Sequence, residues 1–303
     1  ENIYRMYLLT GDEKYKNFGD VWRYPHYWGM FTGKTPLNLE GLHAYSHVNS
    51  LSSAAMSYAV TGDSEYLKTI INAYDYFQKT QCYATGGYGP SELLAADDGI
   101  LGRSIEAESK EFYGHWPVNN IKNVGRSFET VCGSWAVFKL CRYLMSFTGE
   151  ARFGDWMEKV LYNGIGSALP MEVTGKTFYY SDYRVGGASK KYYNEAWPCC
   201  SGTYIQAVAD YHNLIYFKDE KGLYVNLFVP SEVKWSQQGK QIEVRQETAY
   251  PEAETTTLIL KMSEKTHFSI RFRVPEWTRN AAVELNGVKL DIVSKPGTWI
   301  EIE

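Results

Sequence analysis

Hydrophobic positions follow two regimes along the chain. Between Glu65 and Thr80, residues Tyr66, Leu67, Ile70, Ile71, Tyr74 and Phe77 recur at helical spacing, leaving Lys68, Asn72 and Asp75 for solvent. Phe128 to Phe147 carries Val131, Trp135, Phe138, Cys141 and Met145 on one stripe, and Phe153 to Ile165 reads as its hairpin partner. The Ser- and Ala-rich run from His43 to Val60 suits an inner helix held tightly among neighbours, and a further helix is predicted from about Ser201 to Phe217. From about Gly222 the period becomes two. Leu223 to Val229, Gln241 to Arg245, Thr256 to Met262, Phe268 to Val274, Ala282 to Leu285 and Trp299 to Ile302 are short alternating runs, broken by turn signals such as Asn286-Gly287.

One punctuation recurs in the helical part: Thr10-Gly11-Asp12, Thr61-Gly62-Asp63 and Thr148-Gly149-Glu150. Gly supplies a left-handed C-cap, and the acidic residue starts the next helix. Repeated helical hairpins of this kind predict a mainly α protein, a partial (α/α)6 toroid, followed by a β-sandwich. The boundary lies near 218 to 221, giving a toroid over 1–217 and a sandwich over 218–303. Inner helix ends and loops should line a central pocket. The chain opens and closes within what read as elements, so an N-terminally incomplete toroid and a sandwich open at its C-terminus are expected.

Composition narrows the function classes. The formal net charge of −4, without a basic stripe, argues against nucleic acid, and no apolar run reaches the roughly 20 residues of a membrane span. Localisation, cytoplasmic or exported, stays open, and a homodimer is one assembly that the sequence allows. Aromatics reach 16%, and their flat faces suit both helix packing and sugar rings.

Chemistry concentrates at three places. Trp197-Pro198-Cys199-Cys200-Ser201-Gly202-Thr203 puts two thiols at the start of a helix, where they can share a metal ion. Glu129 and Cys132 are three apart, on one face of a helical turn. One carboxylate with Cys132, Cys199 and Cys200 suits Zn²⁺ in number and softness, against the plainer reading of core cysteines. The long stretch from Ala84 to Arg126 includes Thr85-Gly86-Gly87-Tyr88-Gly89-Pro90-Ser91-Glu92, whose glycines bend the backbone so that Glu92 points into the pocket. Cys82 and Cys141 read as core; His47, His115, His212 and His267 read as structural.

These motifs, in this order, resemble glycoside hydrolase family 127, the β-L-arabinofuranosidase-like family. The resemblance runs from about Gly41 into the strands, including Arg271-Phe272-Arg273-Val274-Pro275-Glu276-Trp277 and Val283-Glu284-Leu285-Asn286-Gly287. It implies a fragment lacking the first part of the barrel, and a retaining enzyme that acts on a carbohydrate with zinc as cofactor. By position it implies Cys199 as nucleophile, Glu92 as acid/base, and Glu129, Cys132, Cys199 and Cys200 as zinc ligands. It also implies His43 and Tyr179 at the substrate. Two features depart from the family pattern: Val131 stands where the third thiol is usual, with Cys132 one residue later, and the Glu92 to Glu129 segment is longer.

Two other readings use the same residues. One is a carboxylate-only glycosidase, lyase or epimerase pairing Glu92 with Glu106, Glu108 or Glu129. The other is a carbohydrate-binding protein with structural zinc.

Overall fold

The computed structural model describes residues 1–95, 101–103, 127–182, 190–192 and 199–303. It divides into two compact units, Glu1–Leu144 with Lys159–Val208, and Met145–Glu158 with Ala209–Glu303. Glu106, Glu108 and His115, together with Trp197 and Pro198, lie outside the described residues.

The first unit is built from helices α1 (Asn2–Thr10), α2 (Glu13–Val21), α3 (Pro25–Met30), α4 (Ala44–Thr61) and α5 (Ser64–Thr80). It continues through most of α6 (Thr130–Thr148) and ends on α8 (Cys199–Asp210), with α7 (Arg152–Val160) between them in sequence. Packing of α1 on α2, α4 on α5 and α1 on α4 gives the hairpins of a partial toroid. The recurring punctuation is one geometry used three times. Gly11, Gly62 and Gly149 have φ of 70°, 69° and 69°, and each N–H reaches the carbonyl four residues back at 2.8 Å. The preceding Thr hydroxyl accepts the next helix's leading N–H at 3.2 Å each time.

Helix α4 is an inner helix: Val48, Leu51, Ala54 and Ala55 are fully buried, and so are Ser52 and Ser57. On α5 the buried stripe is Ile70, Ala73, Tyr74 and Phe77. Asn72 differs from the expectation of a solvent position, because its side-chain amide donates to the Phe31 carbonyl at 2.7 Å. The predicted partner of α6 is α-helical only to Val160; residues Leu161–Ile165 form a π-helical turn. A Cβ on Gly164 in that turn would lie 1.9 Å from Ser134 Oγ, so the backbone must pass close to the start of α6.

A small sheet joins β1 (Ser127–Glu129), β2 (Tyr180–Asp182) and β3 (Lys190–Lys191) in that order, with Glu129 opposite Tyr180. Glu129 therefore ends a strand rather than starting a helix, and α6 begins at the next residue. Helix α8 also ends earlier than expected. A 3₁₀ turn, Tyr211–Leu214, leads into β4 (Tyr216–Lys218), because Tyr216 to Lys218 pair with Val225 to Leu223 and strand pairing overrides local helical spacing.

In the second unit, β5 (Gly222–Val225), β6 (Ser231–Gln237), β7 (Lys240–Thr248), β8 (Thr256–Met262) and β9 (Ser269–Val274) follow. Then come β10 (Glu284–Leu285), β11 (Val288–Lys289) and β12 (Thr298–Ile302). One sheet has the order β12-β9-β5-β4, with β5 and β9 parallel, and the other is the meander β6-β7-β8. Leu223, Val225 and Ile270 of the first sheet share a core with Trp235, Ile242 and Val244 of the second, which is the packing of a sandwich. Strand β6 escapes the alternation search because Glu232, Lys234 and Ser236 occupy its exposed face and only Val233 and Trp235 are apolar.

Candidate active site

Glu129 is fixed by main-chain pairing. Its neighbour Thr130 donates its N–H to the Tyr179 carbonyl at 2.9 Å, so the end of β1 and Tyr179 are registered against each other. Cys132 lies in the first turn of α6, and Cys199 and Cys200 open α8. Val131 and Cys132 are both fully buried, and the Cys132 sulfur faces Cys199, with Sγ to Sγ 3.7 Å. Glu129 Oε1 lies 3.6 Å from Cys199 Sγ and 3.7 Å from Cys200 Sγ. All four ligand atoms fall within 4.8 Å of one another.

These separations fit a shared cation. Tetrahedral bonds of about 2.3 Å to sulfur and about 2.0–2.2 Å to oxygen put ligand sulfurs roughly 3.8 Å apart and sulfur to oxygen roughly 3.6 Å apart. Glu129 Oε2 is buried without a hydrogen-bond partner among the described residues, an orphan that a cation would satisfy. Charge distribution points the same way. Burial, then the neighbouring Cys199 charge, pushes the Glu129 carboxyl up to about 8. Burial raises the Cys200 thiol, and the hydrogen bond to Cys199 raises that of Cys132. Hydrogen bonds from Cys132, then Cys200, with further help from Tyr179, hold Cys199 far below the ordinary thiol range. A divalent ion would let all four ligands ionise.

The acid side of the site is a strap. After the tight turn at Tyr83 to Gly87, Gly89 takes φ 71° so close to α4 that a Cβ would sit 2.1 Å from Ala44 Cβ. The turn Pro90–Glu92 follows, and Glu92 itself has φ 69°, a left-handed conformation unusual for a side chain of its size. The strap is then pinned to the start of α4: Leu93 bridges His43, and the Leu94 N–H reaches the Leu42 carbonyl at 2.8 Å. His43 caps α4, its Nδ1 accepting from the Ser46 N–H at 3.4 Å, so the neutral ring carries its proton on Nε2.

Tyr179 joins the two sides. Its hydroxyl lies 2.6 Å from Glu92 Oε1 and 3.3 Å from Cys199 Sγ. Ligand atoms of His43, Glu92 and Glu129 also lie within 4.8 Å of one another. Cys199, Cys200, Cys132, Glu129, Glu92, His43 and Tyr179 therefore meet at one place. Cys141 and Cys82 lie apart from it; Cys141 is fully buried, and burial raises the Cys82 thiol. His47 is structural as expected, its Nδ1–H donating to the His43 carbonyl at 2.8 Å.

Two neighbours of the site carry no motif of their own. Thr203 Oγ1 lies 3.1 Å from Cys132 Sγ, one helical turn beyond the tandem thiols and on their face of α8. The Tyr45 hydroxyl is raised by burial, then by the charges of Cys132, Glu129, Cys199 and Cys200, so it lies within electrostatic reach of the cluster. Its position two residues after His43, at the head of an inner helix, is the signal that could have found it.

Hairpins of a partial α/α toroid, a β-sandwich in the same chain and a thiol-carboxylate cluster define a class of toroid-and-sandwich protein with a candidate metal site. Within that class the chain belongs to the GH127 β-L-arabinofuranosidase family. The model of its catalytic domain matches residues 1–213, and that of its middle domain matches residues 222–303. Among solved structures, a GH127 β-L-arabinofuranosidase from Geobacillus stearothermophilus T6 superposes with a TM-score of 0.73 at 22% identity, over 99% of this chain and 51% of that one. The GH127 β-arabinofuranosidase BT3674 gives a TM-score of 0.70 at 23% identity, over 99% of this chain and 48% of that one. The chain thus spans about half the length of the solved structures it matches. A comparison with curated proteins finds no match. Among the described residues no helix is long and apolar enough to cross a membrane.

Proposed function

We propose that the chain carries the reaction centre of a retaining glycoside hydrolase that releases L-arabinofuranose, or a related sugar, from a glycan end. In this reading residues 1–217 form the catalytic region and residues 218–303 the accompanying sandwich. The observation that carries it is the Tyr179 hydroxyl, within reach of both Glu92 and Cys199, which bounds the separation of acid and sulfur at about 6 Å. Retaining enzymes keep their two groups roughly 5–5.5 Å apart and inverting enzymes roughly 6.5–9.5 Å, so the short spacing favours direct attack over an interposed water.

Glu129, Cys132, Cys199 and Cys200 would hold the metal, and three sulfurs with one oxygen favour Zn²⁺. When bound, zinc keeps the cysteine sulfurs ionised at neutral pH and tempers their basicity.

The protein's own groups carry the two steps. Cys199 Sγ attacks the anomeric carbon, a C–S bond forming as the C–O bond to the leaving group breaks, while Glu92 gives its proton to the departing oxygen. Water then gives a proton to Glu92 as its oxygen bonds the same carbon, and Cys199 leaves as thiolate. Tyr179 steadies both groups by its shared hydroxyl, and His43 presents Nε2–H to the sugar. Double displacement retains the anomeric configuration.

The close approach of Glu92 and Glu129 favours the carboxylate-pair reading as the second one. A single variant separates them. Cys199→Ser should abolish turnover of 4-nitrophenyl β-L-arabinofuranoside in a steady-state assay; activity near wild type would remove the thiol mechanism and leave the carboxylate pair.

A further inference from the structure

A cleft of about 340 Å³ opens beside the start of α4, lined by Tyr24, Tyr27 and Met30 of the α3 region and by Asn38, Glu40 and Leu42 of the segment after it. It is half open, and its size falls within the roughly 300–1,000 Å³ of small-molecule sites. We propose that this cleft is a carbohydrate subsite, holding the leaving sugar when the substrate is an oligosaccharide. The inference rests on the hydrolase reading above and adds where the second sugar binds.

Three observations support it. The lining has the composition that a sugar requires. The exposed ring of Tyr24, backed by the buried ring of Tyr27 at 5.5 Å between centroids, offers an apolar face to C–H surfaces, while exposed Asn38 and Glu40 offer hydrogen-bonding groups to hydroxyls. The Tyr27 hydroxyl is buried and has no hydrogen-bond partner among the described residues, an unmet polar group in the cleft wall. A ligand hydroxyl reached by a small shift of the ring would satisfy it.

The third observation is continuity with the reaction centre. Leu42 lines the cleft and its carbonyl holds the Leu94 N–H at 2.8 Å, so one wall is pinned to the strap that presents Glu92. His43, the next residue, bridges Leu93 on the same strap. On the other wall, Tyr24 and Tyr27 pack on the His47 ring at 5.9 and 4.9 Å, and His47 Nδ1–H donates to the His43 carbonyl at 2.8 Å. Both walls are thus tied, through Leu42 and through His47, to residues that adjoin Glu92 on its strap, the group proposed to protonate the leaving oxygen. That places the cleft on the leaving-group side, where an aryl glycoside has no second sugar to offer.

The test compares a β-L-arabinofuranosyl disaccharide with 4-nitrophenyl β-L-arabinofuranoside, using wild type, Tyr24→Ala and Asn38→Ala. Tyr24 and Asn38 are exposed side chains, so folding should survive. The ratio of kcat/KM for disaccharide over aryl glycoside is expected to fall about tenfold in Tyr24→Ala and severalfold in Asn38→Ala, mainly through KM. A ratio unchanged in both variants would overturn the proposal. Should wild type cleave neither compound, the hydrolase reading fails, and the cleft is judged by calorimetric binding of the disaccharide alone. Weaker binding by Tyr24→Ala then supports the subsite, and equal or absent binding rejects it.

Discussion

Thr203 shows how a single hydroxyl supports an unusual register of thiols. Cys132 sits one residue later than the resemblance implies, and its sulfur reaches the cluster from a fully buried position. The contact of 3.1 Å from Thr203 Oγ1 orients that sulfur from the opposite helix. Groups that orient metal ligands commonly contribute about 10–100-fold in affinity. Thr203→Val, which keeps the shape and removes the hydroxyl, should therefore weaken zinc binding at least about tenfold in competition with a chromophoric chelator. Unaltered affinity would contradict this role. The tandem thiols and Glu92 were legible in the sequence because each combines a reactive group with a helix start or a glycine turn, whereas Glu129, read at a helix start, ends a strand. Cys132 was expected beside Glu129 on one helical face; Glu129 instead ends β1 and Cys132 lies in the first turn of α6, so strand pairing as well as helical spacing sets their approach. Thr203 was invisible because only tertiary packing brings it to the cluster, and Tyr45 was marked only by its place two residues after His43.

Among the elements, the motif Arg271-Phe272-Arg273 acquires a physical meaning that its spelling does not reveal. Arg273 is fully buried on β9 and forms ion pairs with Asp155 and Glu158 of α7 within the second unit, its Nε donating to the Asn226 carbonyl at 2.7 Å. A Cβ on Gly154 would meet Asn226 Oδ1 at 2.1 Å and Arg273 Cδ at 2.5 Å, so the glycine is required where the arginine crosses the helix. Removing one partner of such a buried group strands the others, at about 3–5 kcal/mol. Arg273→Ala should lower unfolding stability by that amount in urea titration, and a loss under about 1 kcal/mol would refute the assignment.

Arg271, on the same strand, is a weaker device that sets a pH limit. It pairs with Asp219 at 3.3 Å and with Glu301 of β12 at 2.7 Å. Glu301 is held below its ordinary value by the Ser269 hydrogen bond and then, against a burial penalty, by Arg271. Asp219 is likewise lowered, the Gly222 N–H, the Tyr224 hydroxyl and Arg271 outweighing burial. Lowered carboxyls stabilise the fold above their unfolded values, 4.5 and 3.8, and that stability is lost as pH falls through the lower folded values. Thermal melts should show acid destabilisation setting in below about pH 4.5 that is smaller in Arg271→Gln, because the variant lacks the cation that lowers both half-exposed carboxyls. An identical acid profile in the variant would count against it.

At the scale of the whole molecule, the change from a period near 3.6 to a period of two was the most legible feature, because helices and strands bury alternate patterns of the same residue types. The two compact units do not follow that linear division. Residues Met145–Glu158 are helical in pattern yet belong to the second unit, tied there by contacts such as Arg273 to Asp155, 118 residues apart. No local periodicity encodes a contact over that separation. The first unit, by contrast, brings the β1–α6 junction, the head of α8 and the Glu92 strap to one point from three distant stretches of chain. That convergence underlies the proposed chemistry, and it is tested most directly at the metal. Zinc K-edge absorption on the purified chain, with metal content measured in parallel, should find about one zinc per chain with three sulfur scatterers near about 2.3 Å and one oxygen at about 2.0–2.2 Å. A chain without stoichiometric metal, or a zinc shell of nitrogen and oxygen only, would contradict the account.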